Sequence, residues 1–153
     1  WRVPINGGYS GPAVADGRVF VLDYVETEAR VMNGTERLLA LSEETGEVLW
    51  SHEWETTYRM LMFTYATGPR ATPTIDGDRV FTLGATGILN CLDLSSGSLI
   101  WSRDIRADNE AKVPMWGYSG SPLALDDLVV VSAGGSDGRS LVAYRRQNGE
   151  CRR

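Results

Sequence analysis

Apolar and polar residues alternate in short runs along most of the chain. RVFTL at 79–83 and ILNCLDL at 88–94 are two examples. A period of two marks half-buried β-strands, and Gly, Asp and Ser interrupt the runs where turns are needed. No segment carries a convincing 3.6-residue apolar stripe, so helices are not expected. The pattern predicts an all-β chain.

The strand-like runs recur. PAVADGRVFVLD begins at Pro12, PTIDGDRVFTLG at Pro73 and PLALDDLVVVSA at Pro122. In each, a valine falls seven residues after the proline: Val19, Val80 and Val129. Between the two apolar runs stand Asp16-Gly17, Asp76-Gly77 and Asp126-Asp127, residue types that suit tight hairpin turns. A second anchor follows each time. LALSEETGEVLW places Ala40, Thr45, Gly46 and Trp50; CLDLSSGSLIW places Cys91, Asp93, Ser96, Gly97 and Trp101. AYRRQNGECRR keeps Ala143, Asn148 and Gly149 and has Arg153 at the tryptophan position. The glycine permits a positive φ between two strands, and the tryptophan is a broad apolar plate for the seam between neighbouring sheets.

The prolines are 61 and then 49 residues apart, and a period of about 40–50 residues belongs to propeller blades. The longer first interval is ascribed to a polar insertion at 24–36. The second unit is expected to place strands near 70–75, 79–84, 87–93 and 98–103. Three four-stranded antiparallel blades result, at roughly 8–53, 69–104 and 117–153, forming an incomplete, open portion of a β-propeller. GGYSGP follows Trp1 much as WGYSGSP follows Trp101, so residues 1–5 read as the remnant of a preceding blade. An open stack leaves sheet faces and strand edges uncovered. Remaining blades or a second chain are therefore expected to close the ring.

These repeats resemble the quinoprotein-type repeat of PQQ-like β-propellers, whose pattern is Ala-x-Asp-x-x-Thr-Gly-x-x-x-Trp. Residues 40–50 meet it with Ser42 for the aspartate; residues 91–101 meet it with Cys91 for alanine and Ser96 for threonine. Residues 143–153 keep alanine and glycine. Ala40, Thr45, Gly46, Trp50, Asp93, Gly97 and Trp101 are thereby the structural docking motif. The resemblance covers nearly the whole chain and implies a bacterial periplasmic or secreted location. It implies two kinds of protein. One is a noncatalytic binding or scaffolding propeller, like the lipoprotein of the outer-membrane-protein assembly machinery. The other is an alcohol or sugar dehydrogenase that holds pyrroloquinoline quinone (PQQ) and calcium in the mouth of an eight-bladed ring.

Composition narrows the partners. The net charge of −5 and the pI of about 4.9 disfavour nucleic acid, whose phosphates would repel the chain. Arg145, Arg146, Arg152 and Arg153 are a short local run, read as a solvated face. No stretch approaches the roughly 18 apolar residues of a membrane span. Trp1 opens directly into strand-like sequence, with no signal peptide visible. Cys91 and Cys151 lack the spacing of a metal knot or redox pair; burial as small apolar residues is the expectation, and a disulfide is the alternative.

Catalytic chemistry is sparse. Asp104, Asp108, Glu110 and Asp137 form no recognisable calcium loop, and the adjacent cysteine pair common in PQQ enzymes is missing. Cofactors are therefore not evident, unless missing blades supply a site for PQQ and calcium. His52 reads as a strand residue, and GATG at 84–87 and SAGGSDG at 132–138 read as hairpin turns, since neither opens a helix with phosphate-loop spacing.

The long connections are more informative. In a propeller, second-to-third-strand and blade-to-blade connections share one face. The segments 24–36, 53–69 and 104–117 belong there, and the opposite face carries tight turns. The long segments hold Tyr24, Trp54, Tyr58, Met60, Met62, Phe63, Tyr65, Met115 and Trp116. Long loops on a rigid scaffold are where binding sits. Trp54, Tyr58, Arg59, Arg70, Met115, Trp116 and Tyr118 are the candidate ligand face for a protein, peptide or glycan. The competing account is that the aromatics pack the loops onto the blade tops. Arg59 and Arg70 are suited to an anionic ligand, or equally to Glu53, Glu55 or Asp104.

Overall fold

The computed structural model describes residues 1–28, 32–62 and 67–152, with Glu28 described by its backbone alone. Phe63, Tyr65 and Arg153 lie outside the described residues. Within them the strands form three four-stranded antiparallel sheets in chain order, none closed into a barrel. The first holds β1 (Ala13–Ala15), β2 (Arg18–Glu28), β3 (Asn33–Ser42) and β4 (Val48–Thr57). The second holds β5 (Thr74–Asp76), β6 (Arg79–Leu83), β7 (Ile88–Asp93) and β8 (Leu99–Asp104). The third holds β9 (Leu123–Leu125), β10 (Leu128–Ser132), β11 (Leu141–Arg145) and β12 (Cys151–Arg152). The short first strand β5 neighbours both β1 and β9.

Two findings differ from the sequence reading. The 24–36 segment is not an insertion loop among its described residues: 24–28 and 33–36 are strand. Tyr24 pairs with Glu36, Val25 with Thr35 and Glu26 with Gly34, so β2 and β3 run on together as a long hairpin. Polar residues are tolerated there because one face of the hairpin meets water. A short helix, α1 (Ile105–Asp108), also follows β8. Its cap explains it: Asp104 accepts from the backbone N–H groups of Arg106 and Ala107, both at 3.0 Å, satisfying donors a helix start leaves open.

The tight-turn face repeats almost atom for atom. Ala15 pairs with Arg18, Asp76 with Arg79 and Leu125 with Leu128. The second turn is therefore Gly77-Asp78, one residue later than the sequence suggested. From the next turn, the N–H groups of Glu43, Leu94 and Arg146 donate to the carbonyls of Gly17, Asp78 and Asp127 at 2.9, 2.9 and 2.7 Å.

The degenerate motif positions also keep one chemistry. Ser42 Oγ accepts from the Thr45 N–H at 3.1 Å, where Asp93 Oδ1 accepts from Ser95 and Ser96. Those bonds from Ser95 and Ser96 hold the Asp93 carboxyl down at about 2. Thr45, Ser96 and Asn148 each accept an N–H two residues on, from Glu47, Ser98 and Glu150. Any short side chain with an acceptor oxygen serves, which is why the letters drift while the turn survives.

Trp1, Trp50 and Trp101 each lie over a motif glycine, that of the first, second and third sheet in turn. A Cβ at Gly46 would stand 2.7 Å from Trp1, and one at Gly149 2.8 Å from Trp101; at Gly97 it would collide with Trp50. These glycines also have φ of 77°, 69° and 71°, so both space and backbone conformation require glycine. Ala40 and Cys91 face Trp50 and Trp101 across the ladder.

The core lies between sheets. Phe20, Leu22, Leu38 and Ala40 pack against Val80, Leu92 and Leu94. Phe81, Leu83, Leu89, Cys91 and Trp101 pack against Val129, Val131, Val142 and Tyr144. Both cysteines are free, Cys91 buried and Cys151 partly exposed. Burial pushes the Cys91 thiol up to about 12, so little thiolate forms there. A thiol-reactive chromogenic disulfide should therefore label about one thiol per chain natively and both in denaturant. Rapid native labelling of both would contradict this packing.

Candidate functional site: the long-loop face

The long-loop face is organised around a residue that the sequence reading passed over. Glu36 on β3 is fully buried. Its Oε1 accepts from the Tyr58 hydroxyl at 2.5 Å and the Ala85 N–H at 2.8 Å. Its Oε2 accepts from the Trp54 indole N–H at 2.8 Å. Trp54 reaches it because it stands directly opposite on β4. Ala85 belongs to the 84–87 turn of the second sheet, and a Cβ on Gly84 would overlap the carboxylate. Burial pushes the Glu36 carboxyl above its ordinary value, against the pull of the three donors. A signal was available: Glu36 has the same strand parity as Leu38 and Ala40, so it sits on the core-facing side.

Ala85 joins all three sheets. Its carbonyl accepts the Tyr118 N–H at 2.9 Å, and the Tyr118 hydroxyl donates to the Ala133 carbonyl at 3.1 Å. GATG is thus a hairpin turn, with Gly84 N–H bonded to the Ile88 carbonyl at 2.8 Å. Tyr58 stacks on Tyr24 with centroids 4.4 Å apart. Burial, then the Glu36 charge, raises the Tyr58 hydroxyl far above a phenol's ordinary value.

The structure places the candidate face residues in two groups. Tyr58 and Tyr118 are buried and Trp54 half-buried, holding the loops to the sheets. Arg70 lies over the rings of Tyr9 and Tyr58, at 5.6 and 5.9 Å, and donates to the Gly68 carbonyl. Arg59, Met115 and Trp116 are exposed. Met60 and Met62 join them at the surface, because the Met62 N–H donates to the Met115 carbonyl at 2.8 Å.

The acidic residues have local roles. Asp104 caps α1. Asp108 holds Arg103 through two bonds of 2.7 and 2.8 Å. Glu110 pairs with Arg139 at 2.8 Å. Asp137 sits in a turn at φ 54° and accepts from the Ser136 hydroxyl at 3.1 Å. No group of three or more His, Cys, Asp or Glu among the described residues is placed to hold a metal ion. His52 is half-buried on β4 beside Trp54, and burial lowers its pKa. No helix among the described residues is long and apolar enough to cross a membrane.

Sheets stacked in chain order, with a tryptophan clasp at each seam, define an open run of β-propeller blades. The chain belongs to the PQQ-like β-propeller family: the family model described as outer membrane protein assembly factor BamB matches residues 34–152. No curated protein matches the chain.

Among solved structures, BamB from Moraxella catarrhalis matches with a TM-score of 0.60 and 23% identity, over 95% of this chain and 36% of that one. Quinohemoprotein alcohol dehydrogenase from Comamonas testosteroni matches with a TM-score of 0.65 and 20% identity, over 96% and 20%. A europium-containing methanol dehydrogenase matches with a TM-score of 0.60 and 16% identity, over 97% and 24%. These likenesses show the fold. The chain spans about a third of the length of that BamB and a fifth to a quarter of the dehydrogenases.

Proposed function

We propose that this chain is part of a noncatalytic, exported propeller that binds a protein, peptide or glycan partner through its long-loop face. The observation that carries this is the exposed patch of Met60, Met62, Met115 and Trp116. Its backbone is held by the buried Glu36–Ala85–Tyr118 framework. Contiguous exposed apolar groups on a rigid base mark interaction surfaces, and methionine adapts to varied partner shapes. The neighbouring cleft, lined by Met60, Thr86, Asp104, Arg106 and Val113 among others, is about 200 Å³. A larger cleft of about 470 Å³, lined by Thr27, Asn33, Thr35 and Glu55 among others, adjoins it through Thr56 and Thr57, and both open onto this face. Further blades from the rest of the protein, or a second chain, would complete the ring.

The dehydrogenase reading rests on the fold likeness to quinohemoprotein enzymes, and one experiment separates the two. Photo-cross-linkers at Met60 and Met115 should capture a defined partner from the native periplasm, while linkers at Glu44 and Ser95 on the tight-turn face should not. Dye-linked oxidation of an alcohol panel after loading with PQQ and calcium, lost on chelation, would sink the noncatalytic reading.

A further inference from the structure

We propose that Met60, Met62 and Met115 together form a binding site for copper(I). The chain has four methionines. Met32 packs against the Tyr24–Tyr58 cluster, whereas Met60, Met62 and Met115 are 77%, 46% and 61% exposed. The fold brings Met115 to Met62, and the sequence places Met60 beside Met62. Met62 and Met115 are joined by their backbone hydrogen bond, and Met60 is two residues from Met62, within about 7.6 Å from Cα to Cα.

The base beneath them is fixed. Leu61 is buried between Met60 and Met62. The Leu61 N–H bonds to the Tyr58 carbonyl at 2.9 Å, and the Gly117 N–H to the Pro114 carbonyl at 2.8 Å. A Cβ at Gly117 would stand 2.9 Å from the Ala85 carbonyl, so this loop is pressed onto the framework described above.

Thioethers are soft, uncharged ligands that select copper(I) over hard cations such as calcium. They also carry no proton in the working range. Thiolate and imidazole sites release protons on binding metal, so their affinity depends on pH. A thioether site does not share that dependence. The chain's other soft ligands lie elsewhere: Cys91 and Cys151 belong to the core between the second and third sheets. The Cys91 thiol is 3.9 Å from the Arg146 carbonyl, in a turn of the opposite face. Trp116 follows Met115 directly and supplies a fluorescent reporter.

The test is an anaerobic titration of the chain with copper(I) against a chromophoric copper(I) chelator, at pH 5.5 and 7.5. One equivalent should bind, with affinity unchanged within about twofold between the two pH values. Silver(I) should compete, and zinc(II) and calcium(II) should not. Leucine preserves volume and apolarity, so each of Met60→Leu, Met62→Leu and Met115→Leu should leave the melting temperature unchanged. Each should weaken binding by about tenfold or more, and the triple variant should abolish it. The quench of tryptophan fluorescence on binding should disappear in Trp116→Phe. Binding that survives the triple variant, is lost in Cys151→Ser, or shifts tenfold between the two pH values would overturn the site. The titration uses the chain alone with no partner present, and the cross-linking uses no copper, so failure here is distinguishable from failure of the binding-face reading.

Discussion

Glu36→Ala is expected to lower the unfolding free energy by about 3–5 kcal/mol, the scale of leaving several buried donors without an acceptor. Urea denaturation of the chain and its variant would measure it. The carboxylate satisfies the Tyr58 hydroxyl, the Trp54 indole N–H and the Ala85 N–H, all at the seam between two sheets. Each donor left without an acceptor costs about 1–3 kcal/mol, and relaxation keeps the total below the simple sum. Glu36→Gln should cost about 1–3 kcal/mol. Its carbonyl can serve Tyr58 and Ala85, but its amide N–H then confronts the Trp54 N–H. A loss below about 1 kcal/mol for alanine would mean that the clasp contributes little beyond packing.

The same carboxyl predicts a pH dependence with a definite sign. Burial raises the Glu36 pKa above 4.5 in the folded chain, so the folded state holds that proton more tightly than the unfolded state. The resulting stabilisation is fully present below 4.5 and is lost as the pH rises through the folded value. Asp23 has the opposite slope. Burial would raise its carboxyl, but bonds from Arg37 and Asn6 outweigh that and hold it below 3.8. Its contribution is present above 3.8 and fades as the pH falls. Comparison with Glu36→Gln isolates the first effect: the stability advantage of the native chain over the variant should shrink as the pH rises from 4.5. A constant difference would rule it out.

The architecture was legible because the repeat is written in turn residues and tryptophans. Pro12, Pro73 and Pro122 set the phase, and the Thr-Gly, Ser-Gly and Asn-Gly pairs mark turns whose geometry needs glycine. The second-unit strands fall within a few residues of the positions read from alternation, and Asp137 proved to be the turn residue expected. The framework of the long-loop face was less legible. Tyr58 and Trp54 look like surface aromatics in sequence, and their burial depends on one carboxylate 18 to 22 residues away. Alternation labels a charged residue in a strand as solvent-facing by its type, while parity with Leu38 and Ala40 puts Glu36 inside. The Met62–Met115 contact was hidden for another reason: it is a tertiary backbone bond between two connections and has no periodic signature.

The docking tryptophans should respond to substitution in a graded order that their shared motif alone would not suggest. Trp101 is buried, packs near Phe81 with ring centroids 6.0 Å apart and donates its indole N–H to the Arg146 carbonyl at 2.9 Å. Trp101→Ala should cost about 3–5 kcal/mol, as for other large-to-small changes in a core. Trp1 donates to the Glu43 carbonyl at 2.8 Å but is 61% exposed, so Trp1→Ala should cost about 1 kcal/mol. Trp50 separates packing from hydrogen bonding. It covers Gly97 and lies 5.7 Å from Phe20, yet its buried indole N–H has no acceptor among the described residues. Leu94 stands where Glu43 and Arg146 stand in the other two seams, but its backbone carbonyl does not receive the indole N–H as theirs do. Trp50→Phe removes an unsatisfied donor while keeping an aromatic plate, so it should cost about 1 kcal/mol less than Trp101→Phe, which loses a made bond. Equal losses for the two phenylalanine variants would show that the indole N–H is immaterial and that the clasp acts through the plate alone.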